Sequence, residues 1–278
     1  MREEKKRTRP PVSRHMDPYH ARREGGETQD DARGEGMIEG RNAVTEALRA
    51  GRPIDKIFIA KGETDAALGH IASKARSAGT VVVETDRRKL DAMSVTGAHQ
   101  GVIALASVKE YVSVADILRI AEEKGEPPFL VICDEISDHH NLGAIIRTAE
   151  AAGVHGVIIP KRRSAGITAV VSKTSAGAVE YMPVARVANI TATIQELKKS
   201  GVWIYGTAAD GESPLWSTDL RGPAAFVIGS EGEGMSRLVA DNCDFKLSIP
   251  MHGQVSSLNA SASAAVVIYE VLRQRSLS

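Results

Sequence analysis

The chain has 278 residues, of which 42% are hydrophobic and 25% charged, a length and balance typical of a globular protein with two hydrophobic cores. Its 35 basic residues match 35 acidic ones, which excludes a globally basic nucleic-acid binder, and no apolar run reaches the roughly 18 residues of a membrane span. The charged N-terminus lacks the apolar core of a secretory signal, so we expect a cytoplasmic protein with no membrane partner.

Residues 1–36 predict a disordered charged tail. They contain nine Lys or Arg and eight Asp or Glu but few large apolar side chains, so burial cannot offset the entropy lost on ordering. Residues 1–15 carry six basic and two acidic groups and could therefore contact the phosphates of a nucleic acid. A solvated tail with no specific role is the alternative.

Residues 37–107 predict a small α/β domain with three layers, helix on sheet on helix. Apolar residues between Asn42 and Ala50 recur with helical spacing, and Ile54 to Ala60 reads as a strand. Shorter helices and strands alternate from there to Ser107. Residues 108–128 then form a linker with one amphipathic helical stretch.

Residues 129–278 alternate more clearly between apolar strands and helices. The predicted strands are Phe129–Cys133, Val154–Ile159, Val202–Tyr205, Ala224–Ile228 and Lys246–Ile249. The predicted helices are Leu142–Ala152, Thr168–Ala176, Ile190–Ser200, Ser236–Asp241 and Leu258–Arg275. Continuous apolar strands separated by helices indicate a mostly parallel sheet covered on both faces, with a ligand site at the carboxyl ends of the strands.

The first polar motif runs from Asn141 to Arg147 and follows a predicted strand. On one continuous helix two residues six positions apart point about 120° away from each other. Asn141 and Arg147 therefore share a site only if Asn141 lies in the preceding loop, which the segment Asp134–His140 favours. The alternative for Arg147 is an exposed surface arginine.

The second motif, Ile228-Gly229-Ser230-Glu231-Gly232-Glu233-Gly234, lies between a strand and a helix. Its glycines permit positive φ and close approach of the backbone to a ligand. The spacing is neither the dinucleotide fingerprint nor a P-loop. A tight strand–helix turn is the alternative.

The third motif runs from Ile249 to Asn259 and ends at the last helix. Ser257 and Asn259 are typical helix caps, which is the alternative to a functional role. However, Ser256, Ser257 and Asn259 stand in a stretch with more hydroxyl and amide groups than one cap needs. The free N–H groups at such a helix start can hold a carboxylate.

Two further polar stretches and the cysteines have simpler interpretations. Lys161-Arg162-Arg163 follows a strand and is either a phosphate-binding turn or a solvated one. His139 and His140 are interpreted as loop residues within reach of a bound nucleic acid, since adjacent histidines rarely share one metal. Cys133, inside an apolar run, is interpreted as a small buried side chain, and we predict no metal site.

Together the three motifs, in this order within about 120 residues, resemble those of the SpoU/TrmH family of RNA ribose 2'-O-methyltransferases, in the SPOUT superfamily. Within the family the chain most resembles the bacterial enzymes that methylate a guanosine of 23S ribosomal RNA. The segments Gly40–Leu48 and His99–Val102 look like the two ends of their N-terminal domain, which resembles ribosomal protein L30e and binds RNA.

The resemblance implies a fold class, a cofactor and an assembly. The fold class is α/β, with an N-terminal L30e-like αβα domain over residues 37–107 and a C-terminal, mostly parallel sheet with a deep trefoil knot over residues 129–278. The implied cofactor is S-adenosyl-L-methionine, the implied partner is RNA, and the implied assembly is a homodimer.

The resemblance also assigns residues to the site. The catalytic assignments are Asn141, Arg147, Glu231, Ser257 and Asn259. The cofactor-binding assignments are Thr207, Gly229, Ile249, Met251, Ser256 and Leu258. A guanidinium normally stays protonated, so we expect Arg147 to position the nucleotide's phosphate and polarise the ribose hydroxyl, with the proton leaving through phosphate or water.

Other functions remain as alternatives. Within the family, the substrate could be a transfer RNA ribose or a ribosomal adenosine. A non-catalytic RNA-binding protein that kept the fold is a further alternative, and it need not bind the cofactor. A dehydrogenase is excluded by the missing glycine fingerprint.

Overall fold

The computed structural model describes residues 36–62, 65–255 and 257–277. The predicted tail lies outside the described residues except for Gly36, and so does Ser256. Among the described helices, none has the length and apolarity needed to cross a membrane.

The first part of the chain forms a small four-stranded sheet with three helices. Its strands are β1 (Met37–Glu39), β2 (Ile54–Ala60), β3 (Val81–Thr85) and β4 (Val102–Ala106), in the order β1-β4-β2-β3. Its helices are α1 (Arg41–Arg49), α2 (Ala66–Ser77) and α3 (Arg87–Met93). Apolar residues of α1 and α2 pack on one face of this sheet, and Leu90 of α3 packs on the other.

Helix α4 (Val114–Lys124) leads into the second part of the chain, which forms a larger sheet of seven strands. They are β5 (Phe129–Cys133), β6 (Gly156–Pro160), β7 (Val184–Val187), β8 (Trp203–Thr207), β9 (Ser213–Pro214), β10 (Ala224–Ile228) and β11 (Phe245–Ser248). Their order is β7-β6-β5-β10-β8-β11-β9, and every neighbouring pair is parallel. The predicted parallel sheet is confirmed, with β7 and β9 as strands that the sequence analysis missed.

The remaining helices cover both faces of this sheet. They are α5 (His139–Ala151), α6 (Ala169–Thr174), α7 (Ile190–Lys199), α8 (Arg237–Asn242) and α9 (Ala260–Arg275). Side chains of one strand alternate between the faces. Val131 of β5 packs in the core with α5 and α9, while Leu130 and Ile132 pack in the opposite core with α4, α7 and α8. Cys133 is fully buried in the first of these cores, as predicted.

Helices α5 and α6 approach so closely that only glycine fits at position 143. A Cβ atom there would overlap the Thr174 side chain of α6, whose hydroxyl donates to the carbonyl oxygen of Val170 at 2.8 Å. The first turn of α5 is thereby pressed against α6. This contact matters because Asn141 lies in that turn.

We predict that Gly143→Ala lowers the free energy of unfolding by about 1–3 kcal/mol, because overpacking outweighs the helix propensity gained with alanine. The matched control is Gly69→Ala in α2, where a Cβ atom meets open space. Alanine should stabilise that helix by up to about 1 kcal/mol. Urea unfolding of both variants checks the prediction, and equal shifts in the two would contradict it.

Candidate functional site

The three polar motifs meet at one edge of the large sheet. Because its strands are parallel, the segments that follow β5, β10 and β11 all leave from the carboxyl edge. The first motif comes after β5, the second directly after β10, and the third directly after β11. The sheet topology therefore gathers segments that are far apart in sequence.

The loop after β10 is closed by its own backbone. Ser230 N donates to Gly234 O at 2.9 Å, and Gly234 N donates to Ser230 O at 3.0 Å. A Cβ atom at Gly229 would overlap the backbone of Gly234, and Gly234 has a φ of 68°. The tight-turn interpretation thus explains two of the glycines, while the loop also lines a cavity.

Asn141 lies within helix α5, not in the loop before it. Asp138 caps this helix by accepting from His140 N at 2.8 Å, so the helix begins at His139, three residues earlier than predicted. The condition under which Asn141 and Arg147 would share a site within one chain, with Asn141 in a loop, is therefore not met. His139 and His140 are helical residues rather than loop residues.

The amide of Asn141 connects the three motifs. Its Nδ2 donates to Glu231 Oε1 of the second motif at 2.8 Å. Its Oδ1 accepts from Asn259 Nδ2 of the third motif at 3.4 Å. Asn141 is only 9% exposed, so its amide works in surroundings where the absence of a hydrogen bond is costly.

Asn259 is both a helix cap and part of the site, the two roles that the sequence analysis gave as alternatives. Its Oδ1 accepts from Ala262 N at 2.8 Å and caps α9, while its Nδ2 reaches Asn141. Helix α9 begins two residues later than predicted because Asn259 is the cap. Ser257 is exposed beside the cavity.

Arg147 lies on the exposed face of α5 and does not line the cavity. It lies six residues beyond Asn141 on the same helix, which turns it about 120° away. Within one chain, the structure gathers Asn141, Glu231, Ser257 and Asn259 around the carboxyl edge and leaves Arg147 apart.

A cavity of about 480 Å³ opens at this edge, in the size range of small-molecule sites. Five of the six residues predicted to bind the cofactor line it: Thr207, Gly229, Ile249, Met251 and Leu258. The sixth, Ser256, is not among the described residues. The sequence analysis missed Ala208, Ala209 and Asp210, although their position directly after β8 was a usable signal.

Asp134 is a further polar residue that the sequence analysis did not assign. It directly follows β5, is 4% exposed, and accepts from Ser236 N at 2.7 Å through Oδ2. Burial raises the pKa of its carboxyl group above the ordinary 3.8, although the bond from Ser236 acts in the opposite direction. Asp134 ties the end of the second-motif loop to β5.

The basic turn Lys161–Arg163 follows β6 at the same edge of the sheet, and all three side chains are exposed. Arg163 Nη1 lies 3.4 Å from Glu135 Oε1. Strand β6 is separated from β10 only by β5, so the turn lies about 10 Å along the edge from the second-motif loop. Across the described residues, no group of three or more His, Cys, Asp or Glu could hold a metal ion.

Fold and site together define a class of protein: an α/β protein with a small-molecule cavity formed by polar and glycine-rich loops at the carboxyl edge of a parallel sheet. The chain belongs to the SpoU rRNA methylase family of RNA methyltransferases, whose model matches residues 128–269. A second model, described as RNA 2'-O ribose methyltransferase substrate binding, matches residues 37–112.

Similar proteins agree with this membership. YacO of Bacillus subtilis (strain 168), classed by name with the TrmH family tRNA/rRNA methyltransferases, is 46% identical over 86% of this chain and 95% of the relative. A solved RNA 2'-O ribose methyltransferase is 26% identical, with a TM-score of 0.71 over 88% of this chain and 90% of that one. An AdoMet-bound rRNA methyltransferase from Sinorhizobium meliloti is 25% identical, with a TM-score of 0.71 over 88% of each chain.

We predict a pH-dependent effect of Asp134→Asn on stability. The pKa of Asp134 is raised in the folded protein above the ordinary 3.8. The contribution of Asp134 to the free energy of unfolding of the wild type therefore falls as pH rises above 3.8, and it becomes constant above the pKa of the folded state. Each unit of pKa rise corresponds to about 1.4 kcal/mol. The variant cannot ionise, so its stability relative to wild type should increase between about pH 4 and pH 7.

Urea midpoints of both proteins at the two pH values provide the measurement. Asp116→Asn is the control, because hydrogen bonds from Ser113 lower the pKa of Asp116. The stabilising contribution of Asp116 is present above pH 3.8 and is lost as pH falls below it. The stability of Asp116→Asn relative to wild type should therefore decrease slightly between about pH 4 and pH 7. The same change in relative stability with pH in both variants would refute the raised pKa of Asp134.

Proposed function

We propose that the chain transfers a methyl group from S-adenosyl-L-methionine to a ribose 2'-hydroxyl in RNA. The observation that carries this proposal is the hydrogen-bonded contact of Asn141 with Glu231 and Asn259, which joins all three motifs beside the cavity. The families matched by both parts of the chain, and the printed names of the relatives, support the same reaction class.

The residues around the cavity fit the proposed cofactor. The backbone of the second-motif loop forms one wall of the cavity, and a side chain at Gly229 would overlap the backbone of Gly234 in that loop. Ile249, Met251 and Leu258 supply apolar surface. Thr207 contributes a hydroxyl that donates to Val227 O at 3.0 Å, so its position is fixed. Bound there, the cofactor supplies an electrophilic methyl group on a sulfonium.

The protein's task is then to orient a poor nucleophile and remove its proton. In our proposal Glu231, which accepts from Asn141, and Ser257, which lines the cavity, hydrogen-bond the ribose. Arg147 binds the nucleotide's phosphate and polarises the hydroxyl, whose proton leaves to the phosphate or to water as the methyl group is transferred. Because Arg147 does not line the cavity of its own chain, this role requires the proposed homodimer, with α5 of one protomer facing the cavity of the other.

We infer an RNA-binding domain of the L30e type over residues 37–107 and a knotted catalytic domain over 129–278. After β11 the chain turns back, and α9 packs against α5 and β10. This packing is what we expect if the C-terminal segment passes through the loop after β10 to form the proposed knot.

A guanosine of 23S ribosomal RNA is the substrate we propose first. The separate RNA-binding part argues against the simplest transfer RNA enzymes, which lack it. Methylation of a transfer RNA ribose or of a ribosomal adenosine is the competing substrate within the same chemistry. The names of the relatives, which combine tRNA and rRNA, favour neither.

We predict that the purified protein transfers label from S-adenosyl-L-methionine to unmodified large-subunit ribosomal RNA in an alkali-resistant dinucleotide. Arg147→Ala should lower the rate by about 10²–10⁴-fold, the range for a group that assists proton transfer, and should leave cofactor binding unchanged. Arg147→Lys should recover little, since an ammonium cannot replace a bidentate guanidinium. Arg119→Ala, at an exposed arginine of α4, is the control.

The outcomes separate the alternatives. Label found only in transfer RNA would mean that transfer RNA is the substrate and that the proposed reaction is correct. Cofactor binding by calorimetry without label in either RNA points to a pre-ribosomal particle, and no cofactor binding favours the non-catalytic protein. Near-normal turnover of Arg147→Lys would rule out the bidentate role.

We predict that the basic turn contacts RNA phosphates. Neutralising Lys161, Arg162 and Arg163 together as glutamines should weaken RNA binding and reduce the slope of log K against log salt by about 0.7 for each phosphate that is no longer neutralised. The control removes three other exposed cations: Arg119, Lys124 and Lys199. An unchanged slope in the first variant, measured by titration at several salt concentrations, would remove the turn from the RNA surface.

A further inference from the structure

Residues 169–181, from α6 through the 3-10 turn Ala178–Glu180 to Tyr181, lie between the two sheets of the molecule. We call them the docking segment, and the small sheet with α1–α3 the small unit. Helix α6 packs against β1 of the small unit and against α5 of the large sheet. The segment is therefore the structural link between the part that matches a substrate-binding family and the part that holds the cavity.

A buried ion pair closes this interface. Arg52, between α1 and β2, places Nη1 2.6 Å from Glu180 Oε1, and the two side chains are 9% and 2% exposed. Arg52 also donates through Nε and Nη2 to the carbonyl oxygen of Ser107, at 3.1 and 2.7 Å. Charges this deeply buried are tolerated only as a pair, so among closed arrangements of the two parts the one that pairs Arg52 with Glu180 is strongly favoured over any that leaves either charge buried alone.

Two lysines strengthen the same interface. Lys109 Nζ donates to the carbonyl oxygen of Glu180 at 2.8 Å. Lys173 Nζ of the docking segment donates to Thr96 Oγ1 at 3.1 Å and to Ala98 O at 2.7 Å in the small unit. Burial lowers the pKa of both ammonium groups.

The backbone also makes close contact. Gly177 has a φ of 89°, and a Cβ atom there would lie 2.6 Å from Glu46 Cβ of α1. Glu46 Oε2 in turn accepts from the hydroxyl of Tyr181 at 2.7 Å. Directional contacts on both sides of Gly177 fix the rotation of the small unit as well as its distance.

The docking segment reaches the site through α5. Thr174 occupies the space left by Gly143, and Asn141, two residues earlier on α5, holds Glu231. The small unit, the docking segment and the first turn of α5 thus form one packed series. A change in how the small unit docks would change where bound RNA lies relative to the cavity.

We infer that Arg52 and Glu180 are positioning residues for the RNA substrate: their buried pair holds the small unit in one orientation, so that RNA bound there presents its target nucleotide to the cavity. This inference rests on the proposed function for its kinetic test. Neither residue touches the cavity, so their effect should fall on RNA and not on the cofactor.

The experiment compares Arg52→Met, Glu180→Gln and the double variant Arg52→Met/Glu180→Met. Each single change leaves one buried group without its charged partner, whereas the double change replaces both by apolar side chains that can pack. We expect the single variants to raise the KM for RNA about tenfold through reduced preorganisation, with kcat and the cofactor Kd nearly unchanged. The double variant should restore most of the affinity.

A second readout does not depend on activity. Spin labels at Ser77→Cys in α2 and Ser200→Cys after α7, with the half-buried Cys243 replaced by alanine, report the distance between the two parts. Single variants at Arg52 or Glu180 should broaden the distance distribution, and the double variant should narrow it again. Arg76→Met, which removes an exposed pair with Glu84, is the control and should change neither readout.

The results decide the inference in each case. Single variants with unchanged KM and unchanged distances would overturn it, and so would a raised KM with unchanged distances. A double variant whose KM stays raised while its distances recover would also overturn the inference, because the orientation of the small unit would then not account for the loss. If the wild-type protein methylates no RNA, the proposed function fails, and the distance measurement still tests the docking.

Discussion

The amide of Asn141 is the contact on which the rest of the site depends. An amide can donate and accept at once, and here it donates to Glu231 and accepts from Asn259. A carboxylate in its place could not donate to Glu231, and an apolar residue would remove both the bond to Glu231 and the bond from Asn259 Nδ2. The position of this one side chain is set by Asp138, which caps α5, and by Gly143, which lets α5 approach α6.

Much of the large sheet follows from local pattern. Strands such as Phe129–Cys133 and Ala224–Ile228 are continuous apolar runs, buried on both faces, and their bounds were predicted without error. Strand β7 was missed because Arg186 interrupts its short apolar run. The start of α5 was misplaced because two histidines do not look helical, although Asp138 offered a capping signal three residues before Asn141.

The site itself depends on contacts that no local pattern contains. Thr207, Gly229 and Leu258 were assigned to the cofactor through the family resemblance, and all three line the cavity. Asp134 pairs with Ser236, 102 residues away, and only the parallel order of β5 and β10 brings them together. The exposed position of Arg147 likewise follows from the helical phase of α5, which the sequence alone left open.

Each junction of the fold is closed by a buried polar contact: Asn141 between the motifs, Asp134 beneath the second-motif loop, and Arg52–Glu180 between the two sheets. Such groups add little net stability, because desolvation offsets much of what they gain. Apolar packing tolerates small shifts, whereas a hydrogen bond at 2.7 or 2.8 Å holds only in one geometry. A transfer reaction that needs two molecules aligned depends on that second property, which explains why polar residues occupy positions where apolar ones would stabilise the fold equally well.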